Sequence, residues 1–279
     1  MSDIVVIGAA GGVGLALTRM LVERGEKVVA CVLDATEQQR LEAAVPGCVA
    51  IHHLDLGDAD IVKDRLASIL NDRQSVRAVA LCAATAPCAP VEVADLASIR
   101  RVLEVNLVSH IAIYQSAMPA LRKTRGRLVM ISSIAGRVAL PFIGVYTATK
   151  QGLEGLADTM RREAGPQGVD IVIVQPGGIR TQMVVNQAAA LDGDLAALDD
   201  DQRERYGYLY EGFKRVIEAG QASASPPEHI AEVILEALDA ERPNSRYVAG
   251  EDARQLLDMV AQKSDAELDA ILPAMFAAP

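Results

Sequence analysis

Tyr146-Thr147-Ala148-Thr149-Lys150 sets a phenol and an ammonium four residues apart. In a helix that spacing puts both on one face. A nearby cation favours the phenolate and draws the phenol's pKa down from about 10, toward where it trades protons near neutral pH. Alone, the pair reads more readily as a surface contact, so its company matters. Ser133 stands thirteen residues before Tyr146, directly after the apolar run Arg127 to Ile131, which places its hydroxyl at the end of a strand. Asn106 lies within Leu103-Glu104-Val105-Asn106-Leu107-Val108, where an amide is either solvated or bonded to backbone and water. A hydroxyl and a tuned phenol converging on one oxygen suit stabilisation of an oxyanion and delivery of a proton to it.

A second group of residues suits a phosphate-bearing ligand. Gly8-Ala9-Ala10-Gly11-Gly12-Val13-Gly14 follows the apolar run Ile4 to Ile7 and opens a helix whose free N–H groups can face a pyrophosphate. A tight strand-to-helix turn needs the same glycines with no ligand. Asp34, twenty residues beyond Gly14, can accept from a ribose 2′-hydroxyl and repel a 2′-phosphate, or it can cap a helix starting near Thr36. No Arg or Lys lies in the glycine run or around Asp34, which points to NAD over NADP. Asp55 and Leu56 either approach an adenine ring or make a plain turn. Pro176-Gly177-Gly178-Ile179-Arg180-Thr181 forms a turn against which a nicotinamide can lie, with Thr181 available to its carboxamide.

These residues need elements to hold them. Runs nearly continuous in Val, Ile and Leu read as strands at Ile4 to Ile7, Lys27 to Leu33, Val49 to Ile51, Ala78 to Leu81, Arg127 to Ile131, Val169 to Val174 and Arg246 to Val248. Helical stretches fill the gaps at Gly12 to Arg24, Asp58 to Leu70, Val93 to Leu121 and Val145 to Ala164. A long block from Gln182 to Ala219 follows, and then a helix from Pro226-Pro227 to Leu238. The expected architecture is α/β: one Rossmann-type, doubly wound, mostly parallel seven-stranded sheet spanning residues 1–279, with a helical tail over 251–279. The segment 182–225 carries Tyr206, Tyr208, Tyr210 and Phe213, four of the chain's nine aromatics. It either roofs the crevice beyond the strand ends or packs on the core as a peripheral helical pair. Residues 222–227 read as a loop.

Composition narrows the function classes. The 279 residues carry 27 basic and 37 acidic side chains, a net charge of −10 that opposes attraction to nucleic acid or anionic membranes. No apolar run suffices to span a bilayer, and the N-terminus shows no basic, cleavable segment, so a soluble cytoplasmic protein is expected. Four cysteines without CxxC spacing and four scattered histidines give no metal site and no disulfide framework.

In order and spacing, Gly8, Gly12, Gly14, Asn106, Ser133, Tyr146, Lys150 and Pro176-Gly177 resemble the short-chain dehydrogenase/reductase family over roughly residues 3 to 250. The resemblance implies that Tyr146 donates and accepts the proton, Lys150 holds the nicotinamide ribose, Ser133 steadies the substrate oxygen and Asn106 anchors a water relay. It also brings Ala83 and Ala84, after the fourth strand, among the cofactor contacts with Gly11, Val13 and Ile179. Two departures stand out. Ile7 replaces the usual Thr before the glycine motif, and Cys82-Ala83-Ala84-Thr85 replaces an Asn-Asn-Ala-Gly stretch. The family's usual NAD-selecting acid falls at Val32, two residues before Asp34. The second strand and the Tyr-rich block look like the branch of retinol, hydroxybutyrate and 17β-hydroxysteroid dehydrogenases. That implies an apolar secondary alcohol or ketone lying against Leu140, Phe142 and Met183, with Val138 and Val145 nearby. A silent nicotinamide-binding sensor or scaffold is the alternative. The family's habit implies homodimers or homotetramers through the helices Val93 to Leu121 and Val145 to Ala164, where Gly152, Gly155 and Ala157 leave a small-residue face.

Overall fold

The computed structural model describes residues 2–48, 50–220 and 223–276. Val49, expected to start the third strand, Ala222, expected to open a loop, and the tail end 277–279 lie outside the described residues. Seven strands form one sheet: β1 (Asp3–Ile7), β2 (Val28–Val32), β3 (Ala50–His53), β4 (Val76–Leu81), β5 (Arg127–Ile131), β6 (Asp170–Pro176) and β7 (Arg246–Ala249). Their order is β3-β2-β1-β4-β5-β6-β7 and every pairing is parallel. Strand order reverses between β1 and β4, so a crevice opens beyond their carboxyl ends, where ligands of such sheets bind.

The strands are apolar on both faces because helices cover both. Ile4 and Val6 point to one side, with Leu17 of α1 (Gly12–Glu23) and Ile234 of α9 (Pro227–Asp239). Val5 and Ile7 point to the other, with Leu66 of α3 (Ala59–Asn71), Ile113 and Leu153. The two-residue alternation of a strand splits one hydrophobic run between two cores.

Three expected helices are divided. The stretch 93–121 is α4 (Leu96–Leu103), a π turn (Glu104–Val108) and α5 (Ser109–Thr124). Such a turn inserts an extra residue, and here it presents Asn106 to the loop after β4. The block 182–219 is α7 (Gln182–Ala196) and α8 (Asp200–Gly220), broken where Asp199 accepts the Gln202 N–H at 2.8 Å. The tail is α10 (Glu251–Ala261) and α11 (Asp265–Ala274), the latter begun by a Ser264–Glu267 capping box. A further helix, α2 (Ala35–Ala44), follows β2, and α6 (Gly144–Ala164) follows β5.

Phe142, Leu191, Leu209, Tyr210 and Phe276 form a third apolar cluster. It ties α7 and α8 to the loop before α6 on one side and to the chain's last described residue on the other. The small face expected on α6 is reduced. Ala157 is buried in the core, Gly152 faces Leu107 of the same chain, and Gly155 alone of the three has open space before it. Among the described residues no helix is long and apolar enough to cross a membrane.

Candidate active site

β5 ends at Ile131, and Ser132-Ser133 turn out of the sheet into a short helical turn, Ile134–Gly136. The Ser133 Oγ caps that turn by accepting the Ala135 N–H at 3.1 Å. On α6 the phenol and ammonium lie one helical turn apart, with Lys150 Nζ 5.6 Å from the Tyr146 ring centroid. Lys150 is 1% exposed, and its ammonium donates to the Ile131 carbonyl at 2.8 Å. That bond ties α6 to the strand end that carries Ser133. Ser133, Tyr146 and Lys150 are thus one constellation on two elements.

Asn106 stands behind it, fully buried. Its Nδ2 donates to the Thr85 carbonyl at 2.7 Å and to Thr149 Oγ1 at 3.3 Å, and its Oδ1 accepts the Thr85 N–H at 2.9 Å. Thr149 in turn donates to the Tyr146 carbonyl at 2.7 Å. The departure at 82–85 is therefore braced through its backbone, which needs no asparagine there. Both amide hydrogens of Asn106 are thus engaged, by Thr85 and by Thr149.

Burial dominates the titration of these groups. The phenol of Tyr146 is pushed up to about 12, chiefly by burial, while a hydrogen bond with Ser133 pulls it down and the Cys88 thiol opposes. The lowered value expected from the Tyr-xxx-Lys pairing does not arise, because loss of hydration outweighs the Ser133 bond. Lys150 falls to about 8 through burial, with Glu154 opposing. His110, buried next to them, is pushed down to about 3 by burial and by Lys150.

The glycine run lies across the crevice. Gly8 has φ of 79°, and a Cβ there would meet the Ala83 backbone at 2.8 Å; at Gly14 a Cβ would meet the Gly8 carbonyl at 2.0 Å. These two positions admit only glycine. The N-terminus of α1 has no side-chain cap and no acid in its first turn, so its N–H groups are available to an anion. Gly12 and Val13 sit on that first turn and Gly11 precedes it, with Thr181 facing Gly12: a Cβ there would meet Thr181 Cγ2 at 2.7 Å. The uncapped helix start, Ala83 and Ala84 beside Gly8, and the Pro176–Thr181 loop opposite fit a dinucleotide laid across the strand ends.

Asp34 takes the capping role: its Oδ1 accepts the Glu37 N–H at 2.9 Å, and Glu37 returns a bond to the Leu33 N–H. Asp55 makes its turn with the Gly57 N–H and pairs with Arg101, while the Leu56 side chain packs in the core. Phe142 is buried among Tyr210 and Phe213, with centroids 4.6 and 4.9 Å away. Leu140 packs against the same cluster and Met183 stays 41% exposed.

Several residues of the site were not singled out from sequence. Glu154 shares the face of Lys150 and is buried, accepting from Gln175 and Arg246 at 3.0 and 2.8 Å; its place four residues beyond Lys150 was the available signal. Cys88 neighbours Tyr146, and Asp252 touches the Pro176–Thr181 loop; local sequence carries no sign of either.

Comparison with known proteins places the fold in a known family. The family model described as short chain dehydrogenase matches residues 2–192. The chain is 28% identical over 259 residues to 3-amino-tetrahydro-pyrrolizinone reductase of Xenorhabdus hominickii, covering 90% of this chain and 88% of that one. It is 30% identical over 258 residues to retinol dehydrogenase 16 of Mus musculus, covering 89% and 80%. A short chain dehydrogenase from Burkholderia cenocepacia J2315, solved in complex with NADP, superposes with a TM-score of 0.74 at 22% identity over 97% of each chain.

Proposed function

The chain belongs to the short-chain dehydrogenase family, and from that membership we propose that it interconverts an apolar secondary alcohol and its ketone with NAD, using Tyr146 as acid and base. The observation that carries this is the convergence of the buried Ser133 and Lys150 with the half-buried Tyr146 where β5 meets α6.

When bound, the nicotinamide supplies or accepts the hydride. In reduction, the Ser133 hydroxyl holds the substrate oxygen and the Tyr146 phenol gives it a proton; in oxidation the phenolate takes the alcohol's proton. A phenol at about 12 keeps its proton at neutral pH and is set for the donor role. Lys150 holds the nicotinamide ribose and adds positive charge behind the phenol. Asn106 braces Thr85 and Thr149 behind the site. Gly8, Gly11, Gly12, Val13 and Gly14 hold the pyrophosphate, Ala83, Ala84, Asp55 and Leu56 border the adenosine half, and Pro176, Gly177, Ile179 and Thr181 receive the nicotinamide.

NAD is favoured because Asp34 stands two residues beyond β2, with no cation between Val28 and Thr36 to meet a 2′-phosphate. The Asp34 cap uses Oδ1 and leaves Oδ2 for the ribose. The substrate is steroid-, retinoid- or aryl-carbinol-like, in keeping with Leu140, Phe142, Met183 and the aromatics of α8 beside the site, and with the retinol dehydrogenase relative. Residues 182–225 cover the substrate, the chain works in the cytoplasm, and it assembles as a homodimer or homotetramer through α4, α5 and α6.

Absorbance of reduced nicotinamide, followed with steroids, retinoids and aryl carbinols and with NAD and NADP in parallel, tests the proposal. Turnover with NAD is expected. Turnover with NADP alone overturns the cofactor assignment, and bound cofactor without turnover overturns the enzyme.

A further inference from the structure

We propose that Asp252 is a positioning residue for this reaction, holding the Pro176–Thr181 loop in the shape that receives the nicotinamide; the proposal rests on the cofactor reading above. Asp252 is the second residue of α10, where an acid suits the helix dipole whatever else it does. Its hydrogen bond goes elsewhere. Oδ2 accepts the Gly178 N–H at 2.7 Å, across 74 residues of sequence.

The surroundings are shaped to this carboxylate. A Cβ on Gly177 would lie 2.2 Å from Asp252 Oδ2, and one on Gly250 would lie 2.5 Å from Oδ1. Any side chain at either position would displace the acid. Gly250 also has φ of 108°, which L residues avoid. Oδ1 is shut off from solvent with no hydrogen-bond partner among the described residues, an arrangement that costs stability and that surface capping of α10 alone would not require.

The loop is gripped from its other side as well. Ser225 N–H donates to the Gly178 carbonyl at 2.8 Å, Arg180 N–H donates to the Ser225 carbonyl at 3.0 Å, and Gly177 N–H donates to Ala249 at 3.1 Å. Gly178 is therefore pulled by its N–H toward α10 and by its carbonyl toward the segment that follows α8. α10 also packs against the turn after Ser133. One helix thus contacts the loop that receives the nicotinamide and the turn that carries the hydroxyl. A Pro-Gly-Gly loop has little stiffness of its own, so the bonds from outside decide its shape.

The test measures cofactor affinity and turnover in Asp252→Ala, Asp252→Asn and Gly177→Ala, the last in both the unaltered and the Asp252→Ala backgrounds. Reduced nicotinamide dinucleotide, followed by its fluorescence on binding, is the probe. Asp252→Ala should weaken binding about tenfold and lower kcat about 10- to 100-fold, since small misplacement at a reacting centre has effects of that order. Asp252→Asn keeps an oxygen acceptor for Gly178 N–H and should stay within about threefold of the unaltered chain. Gly177→Ala should be far less harmful where the carboxylate is already gone. The proposal is overturned by unchanged binding and kcat in Asp252→Ala, by Asp252→Asn as damaging as Asp252→Ala, or by equal harm from Gly177→Ala in both backgrounds. Should Asp252→Ala not fold, Gly177→Ala weakening binding about tenfold with Asp252→Asn within about threefold of the unaltered chain upholds the proposal, and unchanged binding in Gly177→Ala or a loss of about tenfold or more in Asp252→Asn overturns it. Binding by the unaltered chain tests the cofactor reading separately from these ratios.

Discussion

The β5–α6 corner and the α7–α8 pair are held in different ways. In the corner, polar groups are buried and fixed to backbone: Lys150 on Ile131, Thr149 on Tyr146, Asn106 on Thr85. In the helical pair, five buried apolar residues with edge and stacked ring contacts form the centre, and polar contacts such as Lys214 with Asp192 lie exposed at its edge. Hydrogen bonds with fixed partners define positions to fractions of an ångström, as proton transfer requires, whereas apolar contacts are non-directional and tolerate repacking. The corner thus fixes its polar groups in place, whereas the apolar contacts of the pair leave it freer to repack.

The largest expected effect tests the corner. Tyr146→Phe removes the proton carrier and should lower kcat by about 10³-fold or more, with cofactor affinity within about twofold, read by steady-state kinetics beside fluorescence titration. Full turnover in this variant would end the distinction. Ser133→Ala should lower kcat by about 10²-fold. Because the Ser133 bond draws the phenol down, its loss should raise the phenol further and leave less phenolate for alcohol oxidation, which adds to the loss of kcat read by steady-state kinetics.

On the apolar side, Phe276→Ala empties a pocket beneath α8, since Phe276 is fully buried there. Its expected signature is a KM about tenfold higher for bulky apolar substrates with kcat nearly unchanged, the reverse of the corner variants. A fall in kcat matching Ser133→Ala would show that the two regions are not separable.

The smallest effect concerns the stability of the corner. His110 takes a proton near 6.5 when unfolded and only at about 3 when folded. Between those values the unfolded state binds more protons, so stability falls as pH drops, by up to about 1.4 kcal/mol per pH unit from this group. Urea unfolding of His110→Gln between pH 7 and 4 should show a shallower decline than the unaltered chain.

The sheet was legible because buried parallel strands write themselves as Val, Ile and Leu runs, and all seven expected strands are present. The division of 93–121 was not legible. A single inserted residue is too short a slip to mark a break in the apolar rhythm, and the backbone that Asn106 meets there, at Thr85, lies 21 residues upstream. Asp34 was legible in kind, and both of its roles were open from sequence; the structure shows the cap.

Local sequence determined which residues can carry chemistry here. Tyr146 and Lys150 share a face through helical spacing alone, and Ser133 sits at a strand end through its apolar prelude, both consequences of backbone geometry over a few residues. Tertiary structure decided what those groups are when assembled. The phenol rises to about 12, where pairing alone predicts a fall, because desolvation depends on everything packed around it. It also decided who supports them: Asn106 through Thr85, Glu154 through Gln175 and Arg246, and Asp252 through Gly178. Each is a contact between segments far apart in the chain, set by packing and absent from any local pattern.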